Sequence, residues 1–245
     1  MARMRRQVWA VVLATVLVGV VGVVVALASR NDDTSRGGDL GVVPSAGESS
    51  TARNVVTPTP PPTARPSRTR PIVYVFPVGG CKASASQSHH DYPASDIFAK
   101  VGCRFVAPVD GRVDEVTRVD GWDPKTNVGR DRGGLSVSIV GVDGVRYYGS
   151  HLSAIAPGIK PGLQVRAGQT LALTGKTGSA RATPAHLHFG ISWPTAAGKW
   201  WIRRGSVPPQ SYLNAWHDGK TLSPVQAVAR ARTAYGVDRG CRSYC

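Results

Sequence analysis

Four regimes of hydrophobic and polar patterning succeed one another along the chain. From Val8 to Ala28 no charge interrupts a largely apolar run of twenty-one residues. At about 1.5 Å of rise per residue, a helix of that length crosses the roughly 30 Å hydrocarbon core of a bilayer. Arg3, Arg5 and Arg6 precede the run, which predicts a cytoplasmic N-terminus and puts everything beyond Arg30 outside. Residues 1–30 thus read as a basic end and transmembrane anchor. The alternative is a signal peptide cleaved after Ala28, since Ala26-Leu27-Ala28 fits the small-residue cleavage pattern. Residues 31–70 lose the apolar pattern: Gly, Ser, Thr, Asp and Pro dominate, and Thr57 to Pro66 reads TPTPPPTARP. Such a segment favours extended polyproline II and cannot offset its ordering entropy, so it reads as a disordered tether.

From residue 71 to 198 the period becomes two. Ile72–Phe76, Phe105–Ala107, Arg112–Val119, Leu135–Val140, Val145–Tyr148, Leu163–Val165, Leu171–Leu173 and Leu187–Ile191 are short runs rich in β-branched and aromatic residues. Turn residues separate them, among them Pro108-Val109-Asp110-Gly111, Pro157-Gly158 and Ala167-Gly168. Asp143-Gly144 between two apolar runs is a hairpin signal. The pattern predicts a mainly β fold, an antiparallel sandwich or barrel-like sheet of short strands. Residues 199–245 change character again. Pro208 to Trp216 predicts a short helix, and Ser223-Pro224 opens a basic, Ala-rich helix of about three turns that Gly236 stops.

Composition narrows the classes. The 245 residues carry a formal charge of +15 with 42% hydrophobic content, which excludes a wholly disordered chain. Four cysteines are too few for a disulfide-dense miniprotein. The excess charge suggests an acidic partner: nucleic acid, an anionic membrane surface or an anionic wall polymer. Its distribution discriminates among them. The residues up to Arg30 carry +4, the tether +1, residues 71–198 +4 and the tail +6. No basic stripe is interleaved with aromatics, so nucleic acid is not an expected partner. The basic tail is expected instead to contact an anionic wall polymer.

Five of the six histidines fall into three tight groups: His89 and His90 ahead of Asp96, His151 in Tyr148-Gly149-Ser150-His151-Leu152-Ser153, and His186 and His188 in Ala185-His186-Leu187-His188-Phe189-Gly190. Residues two apart in a strand share a face, so His186 and His188 point one way and Leu187 and Phe189 the other. Mixed imidazole and carboxylate ligands with one open position suit a hydrolytic zinc ion. Taken separately, His-x-His also fits an exposed polar strand face, and Asp96 a turn or cap. His217 stands outside every motif and reads as a surface residue.

Taken together, His90…Asp96, His151-Leu152-Ser153 and Thr177-Gly178…His186-Leu187-His188-Phe189-Gly190 resemble the lysostaphin-type (LytM-like) metalloendopeptidases. Phe76-Pro77, Ala107-Pro108, Asp110-Gly111, Val165-Arg166-Ala167-Gly168-Gln169 and Leu173-Thr174-Gly175 match further turns of that family, and the resemblance covers residues 72–194. It implies a zinc groove on one sheet face. It also implies that His90, Asp96 and His188 bind Zn2+, with His89 as the alternative to His90 because His90 stands six residues before Asp96 rather than four. His151 and His186 would flank the open position, orient or deprotonate the water and stabilise the oxyanion. The family's aromatic residue two places before the His-Leu-Ser histidine is Gly149 here, with Tyr148 one step further away. The implied activity is hydrolysis of peptide bonds in peptidoglycan stems or cross-links, by a membrane-tethered enzyme outside the cell. A non-catalytic wall-binding or amidase-regulating module of the same fold is the alternative. Asp120 to Gly134 is the expected groove wall. Cysteine proximity favours Cys81–Cys103 and Cys241–Cys245 as disulfides, the first pinning the segment that carries the proposed ligands.

Overall fold

The computed structural model describes residues 71–86, 89 and 91–236. The anchor at residues 8–28, the tether at 31–70 and the Cys241–Cys245 pair lie outside the described residues. Among the described residues no helix is long and apolar enough to cross a membrane.

Alternation of apolar and polar residues becomes short antiparallel strands, which run in chain order as β1 (Val78–Gly79), β2 (Ser84–Ala85), β3 (Ser95–Phe98), β4 (Arg104–Val106), β5 (Gly111–Thr117), β6 (Ser136–Gly141), β7 (Arg146–Ser150), β8 (Leu152–Ile155), β9 (Gln164–Val165), β10 (Thr170–Thr174) and β11 (His186–Ser192). Helices α1 (Trp200–Arg203), α2 (Gln210–His217) and α3 (Val225–Tyr235) follow. The large sheet has the order β2-β3-β11-β7-β6-β5-β9 and the small one β1-β4-β10-β8. The hairpin signal at Asp143-Gly144 joins β6 to β7. Gly144 takes a φ of +75° there, and its amide donates to the Gly141 carbonyl at 2.9 Å.

The sheets face each other across one apolar core. Leu187, Phe189 and Ile191 of β11, with Ile97, Val137, Ile139 and Tyr147 from its sheet, join Phe105, Leu152 and Leu171 in a single cluster. Contact is close enough that a Cβ on Gly149 of β7 would meet the Phe105 ring at 2.5 Å.

The tail belongs to the same core: Ile202, Val207, Leu213, Trp216 and Val228 are buried in it. Trp216 stacks on Tyr74 with ring centroids 5.3 Å apart. This contact corrects the expected strand at Ile72–Phe76. Apart from the Val75 amide bonded to the Pro108 carbonyl, that run pairs with no sheet, because its aromatic face packs on the tail helices instead. The predicted C-terminal helices form, with Gly236 stopping α3 at a φ of +79°. Pro224 takes the cap position rather than the first helical one, a one-residue difference of the size common at helix ends. His217 is exposed, as expected of a surface residue, and packs edge-on against Phe76.

Cys81 and Cys103 are disulfide-bonded. The bridge closes the loop that carries β2, His89 and β3. Closing a loop of 22 residues removes chain entropy worth about 3 kcal/mol in the loop-closure treatment. Replacing both cysteines by serine is therefore expected to lower the unfolding free energy by about that amount, read from chemical denaturation curves. A loss below roughly 0.5 kcal/mol would show that the ligand-bearing loop is held by other contacts.

Candidate metal centre

The site is organised by β11, which pairs with β3 on one side and β7 on the other. Its register sets His188 opposite Asp96 on β3 and opposite Ser150 on β7. His186 and His188 share the face away from the core, while Leu187 and Phe189 are fully buried beneath them.

His188 Nδ1 lies 3.0 Å from Asp96 Oδ1, and His186 Nε2 lies 3.8 Å from the same oxygen. The ring of His89 meets that of His188 edge-on, with centroids 5.0 Å apart. His89, Asp96 and His188 each offer a ligand atom within 4.8 Å of the others. Two imidazoles and one carboxylate make a donor set that suits zinc and leaves a fourth position open. Burial alone would raise the Asp96 carboxyl, but the hydrogen bond and charge of His188, helped by His186 and His89, hold it well below the ordinary carboxylate range. His90, the expected ligand, lies outside the described residues. His89, its alternative, is the histidine that the described structure brings to Asp96 and His188.

His151 and His186 stand side by side, ring centroids 4.9 Å apart, and the ring of His151 is 5.9 Å from that of His188. His151 Nδ1 is 2.8 Å from the Thr177 carbonyl oxygen and His186 Nδ1 is 2.8 Å from that of Pro184. A carbonyl only accepts, so each Nδ1 carries the proton and each Nε2 keeps its lone pair. Burial, with His188 and His186 alongside, pushes the His151 imidazole down to about 3, so it stays neutral in ordinary buffers. His151 also sits at a φ of +61°, a left-handed conformation that few non-glycine residues adopt. It occupies the reversal between β7 and β8, where the chain passes from one sheet to the other.

A groove of about 380 Å³ runs from this cluster across the sheet. Ser150, Ser136 and Tyr148 line it, and Trp122, Asn127, Arg130, Arg132 and Gly133 come from the expected wall at Asp120 to Gly134. Asp120 pins that wall, accepting from the Gly178 amide at 3.0 Å and from Arg181 Nη2 at 2.8 Å. Alternation along β7 sends Tyr148 into the groove and Gly149 to the core. A Cβ on Gly133 would meet the Tyr148 hydroxyl at 2.4 Å, so the glycine makes room for it.

Sequence reasoning missed Tyr92 and Arg204. The Tyr92 hydroxyl lies 3.1 Å from His188 Nε2 and the Arg204 carbonyl oxygen 3.2 Å from the same nitrogen. Tyr92 was visible only as part of the insertion between His90 and Asp96, and Arg204 carried no signal, being one of eight basic residues in the tail.

Residues 90–199 match the family model described as Peptidase family M23. No curated protein matches the chain. Among solved structures, the catalytic domain of the antimicrobial peptidase lysostaphin from Staphylococcus simulans is 24% identical with a TM-score of 0.41, over 54% of this chain and 92% of that one. A LytM of Ruminococcus gnavus is 23% identical with a TM-score of 0.47, over 60% of this chain and 62% of that one. A zinc-containing peptidase from Vibrio cholerae is 20% identical with a TM-score of 0.39, over 56% of this chain and 39% of that one. The chain therefore spans less than two thirds of the last two.

The depressed His151 value has a measurable consequence for the zinc-free protein. The unfolded chain binds a proton at this position below about pH 6.5, whereas the folded one does not until about 3. The stability that depends on a neutral His151 is complete above about pH 6.5 and is lost as the pH falls towards 3. His151→Asn keeps a residue tolerant of positive φ and removes the titrating ring. The stability difference between wild type and this variant is expected to move in favour of the variant between pH 7 and 4, measured by denaturant unfolding. A difference independent of pH would remove burial of this ring as a source of acid sensitivity.

Proposed function

We propose that this chain, whose residues 90–199 belong to peptidase family M23, is a membrane-tethered, zinc-dependent endopeptidase. Its substrate would be the peptide of peptidoglycan, in stems or cross-links, outside the cell. One observation carries the reading. Two imidazoles with their Nδ1 protons committed to backbone carbonyls stand beside a cluster of two further imidazoles and one carboxylate.

Asp96 and His188 would hold the ion together with one histidine of the His89–His90 pair. When bound, zinc supplies polarisation of the scissile carbonyl and acidifies a water towards neutrality. The rest is the work of the chain. His151 Nε2, neutral and facing the cluster, accepts the proton of the attacking water. His186 Nε2, on the adjacent ring, would carry a hydrogen bond to the developing oxyanion once it has taken up that proton. The proton collected by the histidine pair then leaves with the departing amine, so no covalent link between enzyme and substrate is needed. An extended peptide would lie in the groove across β7 and β6, over Ser150, Ser136 and Tyr148.

The tether and location rest on the sequence: the apolar run at 8–28 with its preceding arginines. The disulfide between Cys81 and Cys103 suits an oxidising compartment. Contact of the basic tail with an anionic wall polymer belongs to the same proposal. The catalytic reading is preferred to a non-catalytic wall-binding or amidase-regulating module because His151 and His186 both stand beside the ligand cluster.

The full-length chain incubated with cell-wall sacculi is expected to release new amino termini, to stop on chelation and to resume when zinc is returned. His151→Asn and His186→Ala are each expected to slow release by at least about 100-fold. Digestion by both variants at the parental rate would overturn the mechanism, and binding to sacculi without any release would favour the non-catalytic module.

A further inference from the structure

The segment from Trp200 to Val207 lies beyond the stretch matched by the family model, which ends at residue 199, yet it is anchored to the large sheet and the β3 loop at several independent points and reaches His188 through the Arg204 carbonyl. Arg203 Nη2 donates to Asp114 Oδ2 at 2.7 Å and to Glu115 Oε2 at 2.8 Å. Arg146, whose side chain is fully buried, reaches the same carboxylates from β7 at 2.7 and 3.1 Å and donates Nη1 to the Arg203 carbonyl. Two guanidinium groups facing two carboxylates balance the cluster, and each carboxylate has both arginines as partners. Further along, the Arg204 guanidinium is layered between Tyr92 at 4.4 Å and Trp200 at 4.6 Å. The Ser206 and Val207 amides then donate to the Ile191 carbonyl at 2.9 and 3.1 Å.

Two glycines permit this approach. A Cβ on Gly190 would meet the Arg204 carbonyl oxygen at 2.1 Å, and one on Gly205, at a φ of +150°, would meet the Pro93 carbonyl at 2.5 Å. The result is the Arg204 carbonyl seated 3.2 Å from His188 Nε2, with the Tyr92 hydroxyl 3.1 Å from the same atom. Where Nδ1 holds the ion beside Asp96, Nε2 carries the ring proton and the Arg204 carbonyl accepts it. Nδ1 is then turned to Asp96 Oδ1 at 3.0 Å, a contact between two acceptors unless a proton or a cation lies between them.

We infer that the Trp200–Val207 strap is part of the metal centre: the Arg204 carbonyl and the Tyr92 hydroxyl fix the orientation of His188, and the Arg203 latch to Asp114 and Glu115 holds the carbonyl in place. Arg203 and Tyr92 are positioning residues, acting on the metal through His188. The inference rests on the reading of His188 as a zinc ligand. Outer hydrogen bonds of this kind typically change metal affinity by 10- to 100-fold.

The test uses the full-length chain and measures zinc affinity by competition with a chromogenic chelator, alongside the unfolding midpoint of the zinc-free protein. Arg203→Met preserves volume and leaves Asp114 and Glu115 paired to Arg146; Tyr92→Phe removes one hydroxyl. Zinc affinity is expected to fall about tenfold or more in Arg203→Met and about three- to tenfold in Tyr92→Phe. The imidazole 15N spectrum of the zinc-loaded chain should show a slowly exchanging His188 Nε2 proton in wild type that is lost in Arg203→Met. A purely structural role would lower the unfolding midpoint and leave affinity and that proton unchanged, which would overturn the inference. Should Arg203→Met not fold, unchanged affinity in Tyr92→Phe would overturn it alone. Failure of the wild-type chain to bind zinc would instead bring down the metal reading on which the inference stands.

Discussion

The pairing of β11 with β3 is the constraint on which the rest of the structure depends. One register sets His188 against Asp96 and simultaneously sends Leu187 and Phe189 into the core. A slip of one residue would exchange these sets, burying imidazoles in the sandwich and exposing its most apolar strand. The free energy that fixes the site is therefore mostly that of apolar burial, which polices the register far more strongly than any polar contact on the groove face. Fully burying a side chain of that size is worth about 1.5–3 kcal/mol, and Leu187, Phe189 and Ile191 are all fully buried. The chemistry of the groove is thus inherited from the packing below it.

On the groove face the problem is different: several polar groups must be taken out of water without being left unsatisfied. The structure meets this by giving three of the site's histidines a backbone acceptor, Thr177 for His151, Pro184 for His186 and Arg204 for His188, while His89 Nδ1 accepts from the Asp91 amide. These acceptors come from a loop, a turn and the tail. Each fixes which nitrogen faces the groove. Tautomer, and with it the ability to accept a proton or a metal, is set by segments that contribute no side-chain chemistry themselves.

Much of this was legible in the sequence, and the illegible part has a common cause. Strands β4 to β7 and β9 to β11 follow from local alternation, and the shared face of His186 and His188 follows from the period of a strand. The run at Ile72–Phe76 has the same local pattern but is not a strand, because Tyr74 finds Trp216, 142 positions away, and its hydroxyl finds Asp143 and Ser223. Strand β8 is hidden behind the left-handed reversal at His151, which period-two reasoning has no means to see. Tyr92 and Arg204 escape for the same reason as Tyr74. Their roles are defined by partners distant in the chain, and neither has a spacing motif. At the His89–His90 pair, adjacency itself defeats inference: two identical side chains one residue apart cannot be separated by composition or period.

Asp120 has a consequence for how such a groove can change. Its carboxylate clips the start of the wall loop to the Gly178–Ala182 turn, through the Gly178 amide and Arg181, while the Arg132 carbonyl holds the loop's far end to the same turn through the Ser179 amide. Lengthening a flexible loop is cheap, about 0.6 kcal/mol for each doubling. The stretch from Gly121 to Val128 can therefore be redrawn by insertion or deletion, while Arg132 and Gly133, whose carbonyls accept from the Ser179 and His151 amides, keep their places. The histidine and carboxylate cluster and the outline of the groove are thus separable in this fold, the one fixed by strand register and the other by a loop clipped at its two ends.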